Sequence, residues 1–371
     1  MVLQSQYSAE NRKEGEKCMK QLSREKKGTF LRASVSDLCD FACQYCATDL
    51  GMENHTPKCI NAPLLSGDEY VNNMRLLATH GFETISFTGG EPLLAKDIDK
   101  IIMGCRPLFK TMEITTNGSR LLANMELIKG YIDVLKISID AVDNDLRVKI
   151  TKNSQAAKTL DVIEECCKAG IKTIGFNFVY MKQNVDELPK LVDFAKHLKE
   201  MYKTNIYISV LDLYFSAGKR EFWKEEFVNL ELLRNDMKEK GITVNHRLRV
   251  GCDSYNCVWN GVVVNMKDSI SCTHRNAMCE KCNEYCQEGI YSLKHSASGW
   301  ISTCPSNKPE LGSLIAGPNV HDIIDKYIDI INDITRVDHT GEEFFLRNGL
   351  QEVLDNESNT TFTEGRSNKV S

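Results

Sequence analysis

The sequence predicts an α/β fold: a partial (β/α)6 barrel carrying a C-terminal cysteine-rich domain. Three observations lead there. From Thr29 onward, short apolar runs alternate with amphipathic stretches of helical period, the pattern of parallel βα units. After about residue 245 the alternation gives way to a field of cysteines. The 371 residues, 42% of them hydrophobic, are more than one core accommodates, since single cores stop growing near roughly 250–300 residues.

Taken in order, residues 1–28 are polar and read as an arm, and residues 29–215 hold the barrel. Its strands are expected near Phe30–Val35, Thr84–Phe87, Met112–Thr115, Val134–Ile139, Thr173–Val179 and Ile206–Leu211, each a short run rich in β-branched or aromatic residues. Between them, helical spacing of apolar residues predicts helices near Gly67–Thr79, Ile98–Leu108, Asn124–Tyr131, Ser154–Ala169 and Val185–Met201. Residues 216–250 read as a connecting helical region, 251–310 as the cysteine-rich domain, and 311–350 as C-terminal helices. These include an amphipathic helix near Val320–Asn332 and a capped one over Gly341–Leu350, and residues 351–371 are a solvated tail. An open barrel of this kind places its chemistry at the C-terminal strand ends.

Composition narrows the function. A net charge of −5 with Lys and Arg dispersed argues against nucleic acid or an anionic membrane as partner, and favours a peptide or small-molecule substrate. No apolar run approaches the ~18–20 residues that span a bilayer, and the N-terminus lacks an apolar signal core, so a cytoplasmic location is expected. In a reducing compartment the fifteen cysteines are not a disulfide framework, and clustered ones point to metal or redox chemistry. Scattered ones, Cys18, Cys59, Cys105, Cys166 and Cys167, read as ordinary thiols.

The stretch "CDFACQYC" puts Cys39, Cys43 and Cys46 directly after the first strand, in a loop at the barrel mouth. Two readings stand on the triplet alone. One is a zinc site short of a fourth ligand, with Cys59 the nearest partner. The other is a [4Fe-4S] cluster whose three thiolates leave one iron open to a ligand. Downstream, "FTGGEPLL" sets Gly89, Gly90 and Glu91 after the second strand, where two glycines admit a close approach and a carboxylate can hold an ammonium group.

Over residues 29–211 these motifs resemble the radical S-adenosylmethionine (radical SAM) superfamily: C-x3-C-x2-C with Tyr45 before the last cysteine, and GGEP at Gly89–Pro92. The resemblance implies a TIM-like partial barrel and a [4Fe-4S] cluster on Cys39, Cys43 and Cys46 whose open iron chelates the amino and carboxylate groups of SAM. It further implies a cofactor site drawn from Tyr45, Gly89, Gly90, Glu91, Thr116 and Asn117, with Ser138 facing the ribose and Asn177 and Val179 near the methionine and adenine portions. Read without it, Asn117–Gly118 is a turn, and Ser138 and Asn177 are strand residues with satisfied hydrogen bonds. The implied chemistry is one-electron cleavage of SAM, with flavodoxin or ferredoxin as donor, to a radical that takes hydrogen from the substrate.

Seven cysteines crowd residues 252–304: Cys252, Cys257, Cys272, Cys279, Cys282, Cys286 and Cys304. A zinc knuckle at Cys279 and Cys282 is one reading. After a radical SAM barrel, the field resembles the SPASM and twitch extensions, which hold auxiliary [4Fe-4S] clusters. That implies a first cluster on Cys252, Cys257, Cys272 and Cys286 and a second on Cys279, Cys282 and Cys304. The full pattern has one more cysteine between Cys282 and Cys286, and a glycine where Lys267 stands, so one or two auxiliary clusters are expected.

Within the superfamily, "DLCDFACQYC", "TGGEPLL", "TTNG" and "SIDAVD" are similar to the molybdenum-cofactor GTP 3′,8-cyclases. Against that activity, Thr84, Ser86 and Phe87 replace basic residues, the C-x2-C-x13-C motif with its Asn-Arg-x-Arg stretch is missing, and the chain ends "NKVS" in place of Gly-Gly. The leading expectation is a radical SAM enzyme acting on a peptide or small metabolite in a biosynthetic or modification pathway. GTP cyclisation stands second, and a noncatalytic zinc or iron–sulfur scaffold third. Asp212, Tyr214, Lys219, Arg247 and Arg249 are candidates for the substrate side.

Overall fold

The computed structural model describes residues 19–26, 29–46, 56–247, 253–267, 272–279, 282, 287–304, 308–338 and 350. Cys252, Cys286, Arg249, most of the N-terminal arm, the tail and the helix expected over Gly341–Leu350, apart from Leu350 itself, lie outside them.

Six strands follow one another as parallel neighbours: β1 (Phe30–Ser34), β2 (Thr84–Thr88), β3 (Thr111–Thr116), β4 (Val134–Ser138), β5 (Thr173–Tyr180) and β6 (Asn205–Asp212). The crossovers carry helices α1 (Gly67–Ala78), α2 (Ile98–Cys105), α3 (Met125–Tyr131), α4 (Asn144–Thr151), α5 (Thr159–Lys168) and α6 (Glu187–Tyr202). Because side chains alternate along a strand, Leu31, Ile85, Phe87, Ile114, Ile137, Phe176 and Ile208 enter one apolar core with the helices. The other face is polar: Arg32, Ser86 and Glu113 stand in register across β1 to β3, and Ser138, Asn177 and Ser209 across β4 to β6. α4 has no counterpart in the sequence-based expectation. It is only eight residues long, and its N-terminus is set by Asp143, whose side chain accepts from the Leu146 amide.

The chain goes on through α7 (Arg220–Glu226), α8 (Leu230–Glu239), β7 (Asn245–Arg247), β8 (Ser254–Trp259), β9 (Val262–Lys267), β10 (Cys272–Arg275), β11 (Ser292–His295), β12 (Trp300–Ser302), β13 (Gly312–Leu314), α9 (Val320–Asn332) and β14 (Thr335–Asp338). The cysteine-rich region does more than follow the barrel. β9 pairs parallel with β6 and β11 parallel with β1, so its strands flank the barrel on both sides of a single twelve-stranded sheet. β10 and β14 form a separate antiparallel pair.

Across the gap between these two flanks lies Glu288, a buried carboxylate. It meets Lys267 of β9 at 3.2 Å on one side, and Arg32 of β1 and Lys294 of β11 at 3.8 and 3.9 Å on the other. Arg32 also donates to the Tyr291 hydroxyl at 2.6 Å, and that hydroxyl lies 3.2 Å from Glu288. Burial alone would raise the Glu288 carboxyl, but the three cations outweigh it and hold it at about 2. A carboxyl depressed in the folded state adds stability above its unfolded value and loses it as pH falls toward the folded one. Glu288→Gln should therefore cost about 2–4 kcal/mol in chemical denaturation at neutral pH. The difference from wild type should shrink as the pH is lowered from about 4.5 toward 2.

Candidate functional site

The loop after β1 carries the three thiols, and its backbone is gripped from three directions. The Gly90 amide donates to the Ser36 carbonyl at 2.8 Å and the Glu91 amide to Leu38 at 2.7 Å. From another side, the Ala42 and Gln44 amides donate to the Thr151 and Ile150 carbonyls at the C-terminus of α4, at 3.1 and 2.9 Å. Lys219 Nζ reaches the Gln44 carbonyl at 2.5 Å, and Asn153 Nδ2 the Asp40 carbonyl at 2.6 Å.

The two glycines serve this docking. A Cβ on Gly89 would stand 2.3 Å from the Ser36 carbonyl oxygen, and one on Gly90 2.3 Å from that of Leu38. Gly89 also has φ +144°, outside the range of ordinary side chains. The close approach they permit is therefore to the cysteine loop itself.

Glu91 is fully buried, and its oxygens accept from Thr116 Oγ1 at 2.7 Å and from the Asn117 and Leu93 amides at 2.7 and 3.0 Å. Burial pushes its carboxyl up to about 7 against those three donors. Its side chain thus joins the ends of β2 and β3. Asn117 extends the tie, its Nδ2 donating to Asp40 Oδ1 at 2.9 Å and lying 3.8 Å from Cys39 Sγ.

Cys39 is exposed, and Cys43 and Cys46 are half-buried. Burial pushes the Cys43 thiol up, and Asp140 and the other two thiols push the same way, so all of these groups act on one another. Tyr45 turns inward: its hydroxyl donates to Asp140 Oδ2 at 2.8 Å, while Asp140 Oδ1 accepts from the Val179 amide at 2.8 Å. Asp140, lifted by burial to about 6, therefore joins the cysteine loop to β5. Ser138 and Asn177 are in register and half-buried on the polar face, and the Ile139 amide donates to the Asn177 carbonyl at 2.9 Å.

Among the described residues no three Cys, His, Asp or Glu side chains converge on the volume of one ion. Three soft sulfur donors in one loop, Cys39, Cys43 and Cys46, have the donor chemistry of an iron–sulfur cluster and would leave one of its irons without a protein ligand.

In the second field, Cys257 lies on β8 opposite Val264, buried in the apolar core. Cys279 and Cys282 are half-buried in one turn, the Cys282 amide donating to the Cys279 carbonyl at 2.9 Å. Cys304 is half-buried after β12, and Cys272 opens β10. Of the substrate-side candidates, Lys219 belongs to the grip on the cysteine loop. Arg247 is exposed on β7, the outermost strand, and Asp212 and Tyr214 are half-buried at and after the end of β6. Sequence reasoning assigned no role to α4, Asn153 or Asp140; the signal for α4 was the cap at Asp143.

Residues 33–195 match the family model described as the radical SAM superfamily. The GTP 3′,8-cyclase of Helicobacter pylori is 30% identical over 261 residues, covering 68% of this chain and 75% of that protein. That of Listeria monocytogenes is 29% identical over 283 residues, covering 74% and 78%. Among solved structures, Streptococcus suis SuiB bound to precursor peptide SuiA superposes with a TM-score of 0.55 at 16% identity, over 79% of this chain and 64% of that one. This last likeness is one of fold.

Gly90→Ala should disturb the loop docking, lowering stability by about 1–3 kcal/mol and reducing iron uptake on anaerobic reconstitution. Gly130→Ala, whose Cβ meets nothing within 4 Å, serves as the control and should leave both intact.

Proposed function

The chain belongs to the radical SAM superfamily, and we propose that it cleaves S-adenosylmethionine reductively and abstracts hydrogen from a peptide or small-molecule substrate. A radical SAM enzyme uses a [4Fe-4S] cluster and SAM, which together supply a 5′-deoxyadenosyl radical. Cys39, Cys43 and Cys46 would hold that cluster, with auxiliary clusters on the second cysteine field. The observation that carries the reading is the cysteine loop, held on one side by the Gly-Gly-Glu turn and on the other by α4, beside the strand ends of Asn117, Ser138 and Asn177.

The chain's own residues would bind, orient and exclude water. Asn117 stands beside Cys39 and fixes the turn after β3. Ser138 and Asn177 offer polar groups on the same face of the sheet and would serve as hydrogen-bonding partners of the cofactor.

A second reading, GTP 3′,8-cyclisation, is favoured by the names of the two relatives.

The test is anaerobic: reconstitute with iron and sulfide, add SAM and a strong reductant, and measure 5′-deoxyadenosine with and without GTP. Deoxyadenosine is expected from wild type, and its absence from iron-loaded protein overturns the proposal. Strong stimulation by GTP selects the second reading. Cys43→Ala should abolish deoxyadenosine, whereas Cys304→Ala should retain uncoupled cleavage and lose product.

A further inference from the structure

We infer that Gln287, in the cysteine-rich region, is a positioning residue for the cysteine loop of the barrel, on which it acts through the segment after β6. The inference rests on the radical SAM reading, in which that loop carries the reacting cluster.

β6 pairs with β5 as far as Asp212 and with β9 as far as Leu211. The chain beyond has left both ladders, and its amides and carbonyls need other partners. At Phe215 a side chain takes the place of a neighbouring strand. The Phe215 amide donates to Gln287 Oε1 at 2.9 Å, and Gln287 Nε2 donates to the Phe215 carbonyl at 3.3 Å. An amide side chain suits the task because it carries acceptor and donor side by side. Gln287 is buried, so both bonds are made away from water, where losing one is costly.

From Phe215 two routes lead to the thiols. Along the main chain, the Ser216 carbonyl accepts from the Lys219 amide at 3.0 Å, and Lys219 Nζ donates to the carbonyl of Gln44, which lies between Cys43 and Tyr45, at 2.5 Å. Through side chains, the Phe215 ring meets Trp223 edge-on at 5.5 Å, within the apolar cluster against which Tyr45 packs. Ile150 belongs to the same cluster, and its carbonyl holds the Gln44 amide. Glu288, the next residue, bridges the flanks of the sheet. Neighbouring side chains therefore fix the cysteine-rich region at two places, the flanks and the mouth. The residues that would bind SAM stand on or beside β3 to β5, whereas among the described residues the hydrogen bonds of Gln287 go to Phe215. Loss of the clamp should shift the thiols and leave those binding groups in place.

The test separates this route from general destabilisation. Gln287→Met keeps the side-chain length and loses both bonds, and Lys219→Met loses the bond to Gln44. Hydrogen–deuterium exchange is followed in metal-free protein over residues 41–46, where the Ala42, Gln44 and Cys46 amides are hydrogen-bonded. Each single variant should exchange about tenfold faster there, the worth of one buried hydrogen bond. Because both act on one contact, the double variant should exchange no faster than the quicker single one. Residues 111–116 of β3 should exchange as in wild type. After reconstitution, Gln287→Met should lower kcat for deoxyadenosine at least about fivefold, as a displaced reacting group does, with KM for SAM unchanged. If Gln287→Met does not melt cooperatively, Gln287→Glu, which loses only the donor, takes its place. Wild-type exchange in the Gln287 variant, additive effects in the double variant, or a change confined to KM overturns the inference. Absence of deoxyadenosine from iron-loaded wild type overturns the radical SAM reading instead, and the exchange measured without metal still decides whether Gln287 holds the loop.

Discussion

The structure depends on one contact, the packing of the Gly89–Gly90 turn against the cysteine loop, backbone to backbone. Each strand end of an open parallel sheet releases a loop whose amides and carbonyls have left the ladder and need partners. Here the loops after β1 and β2 partner one another, through Gly90 to Ser36 and Glu91 to Leu38. The contact is close enough that any side chain on either glycine would strike a carbonyl oxygen at 2.3 Å. Three thiols on a free loop would be a poor donor set, because ordering the loop would oppose ligation. Bound to a neighbour's backbone, the loop is already ordered.

Two buried carboxylates carry the arrangement across the sheet. Glu91 gathers donors from the ends of β2 and β3, and Asp140 gathers Tyr45 and the Val179 amide. Burial disfavours the charge on both, and hydrogen bonds oppose that penalty. α4 is secured in turn by Arg147, fully buried, whose guanidinium donates to the carbonyls of Ala141, Val142, Ala156 and Ala157. An arginine this deep is tolerated because so many of its donors are matched.

The barrel was legible in the sequence because its strands are short β-branched runs at the right interval: β5, expected over Thr173–Val179, spans Thr173–Tyr180. The cysteine triplet and Gly-Gly-Glu turn were legible as chemistry, though not in their physical roles. Nothing in "FTGGEP" says that the glycines face a carbonyl, or that Glu91 is sealed among amides. α4 escaped because eight residues with few apolar ones give a weak period. The flanking strands β9 and β11 escaped for a different reason. Their pairing with β6 and β1 joins residues far apart in sequence, and local pattern carries no information on partners.

That long-range pairing also explains why the cations gather where they do. Arg32 alone, on β1, would be one half-buried charge among polar neighbours. Adding β11 beside it brings Lys294 into register with Arg32, and adding β9 at the far flank brings Lys267 opposite. Like charges brought together would repel and splay the flanks, unless an anion sits between them. Glu288 is that anion, and it holds the flanks together. The residue that bridges the two flanks therefore also couples the cysteine-rich region to the polar face of the barrel sheet.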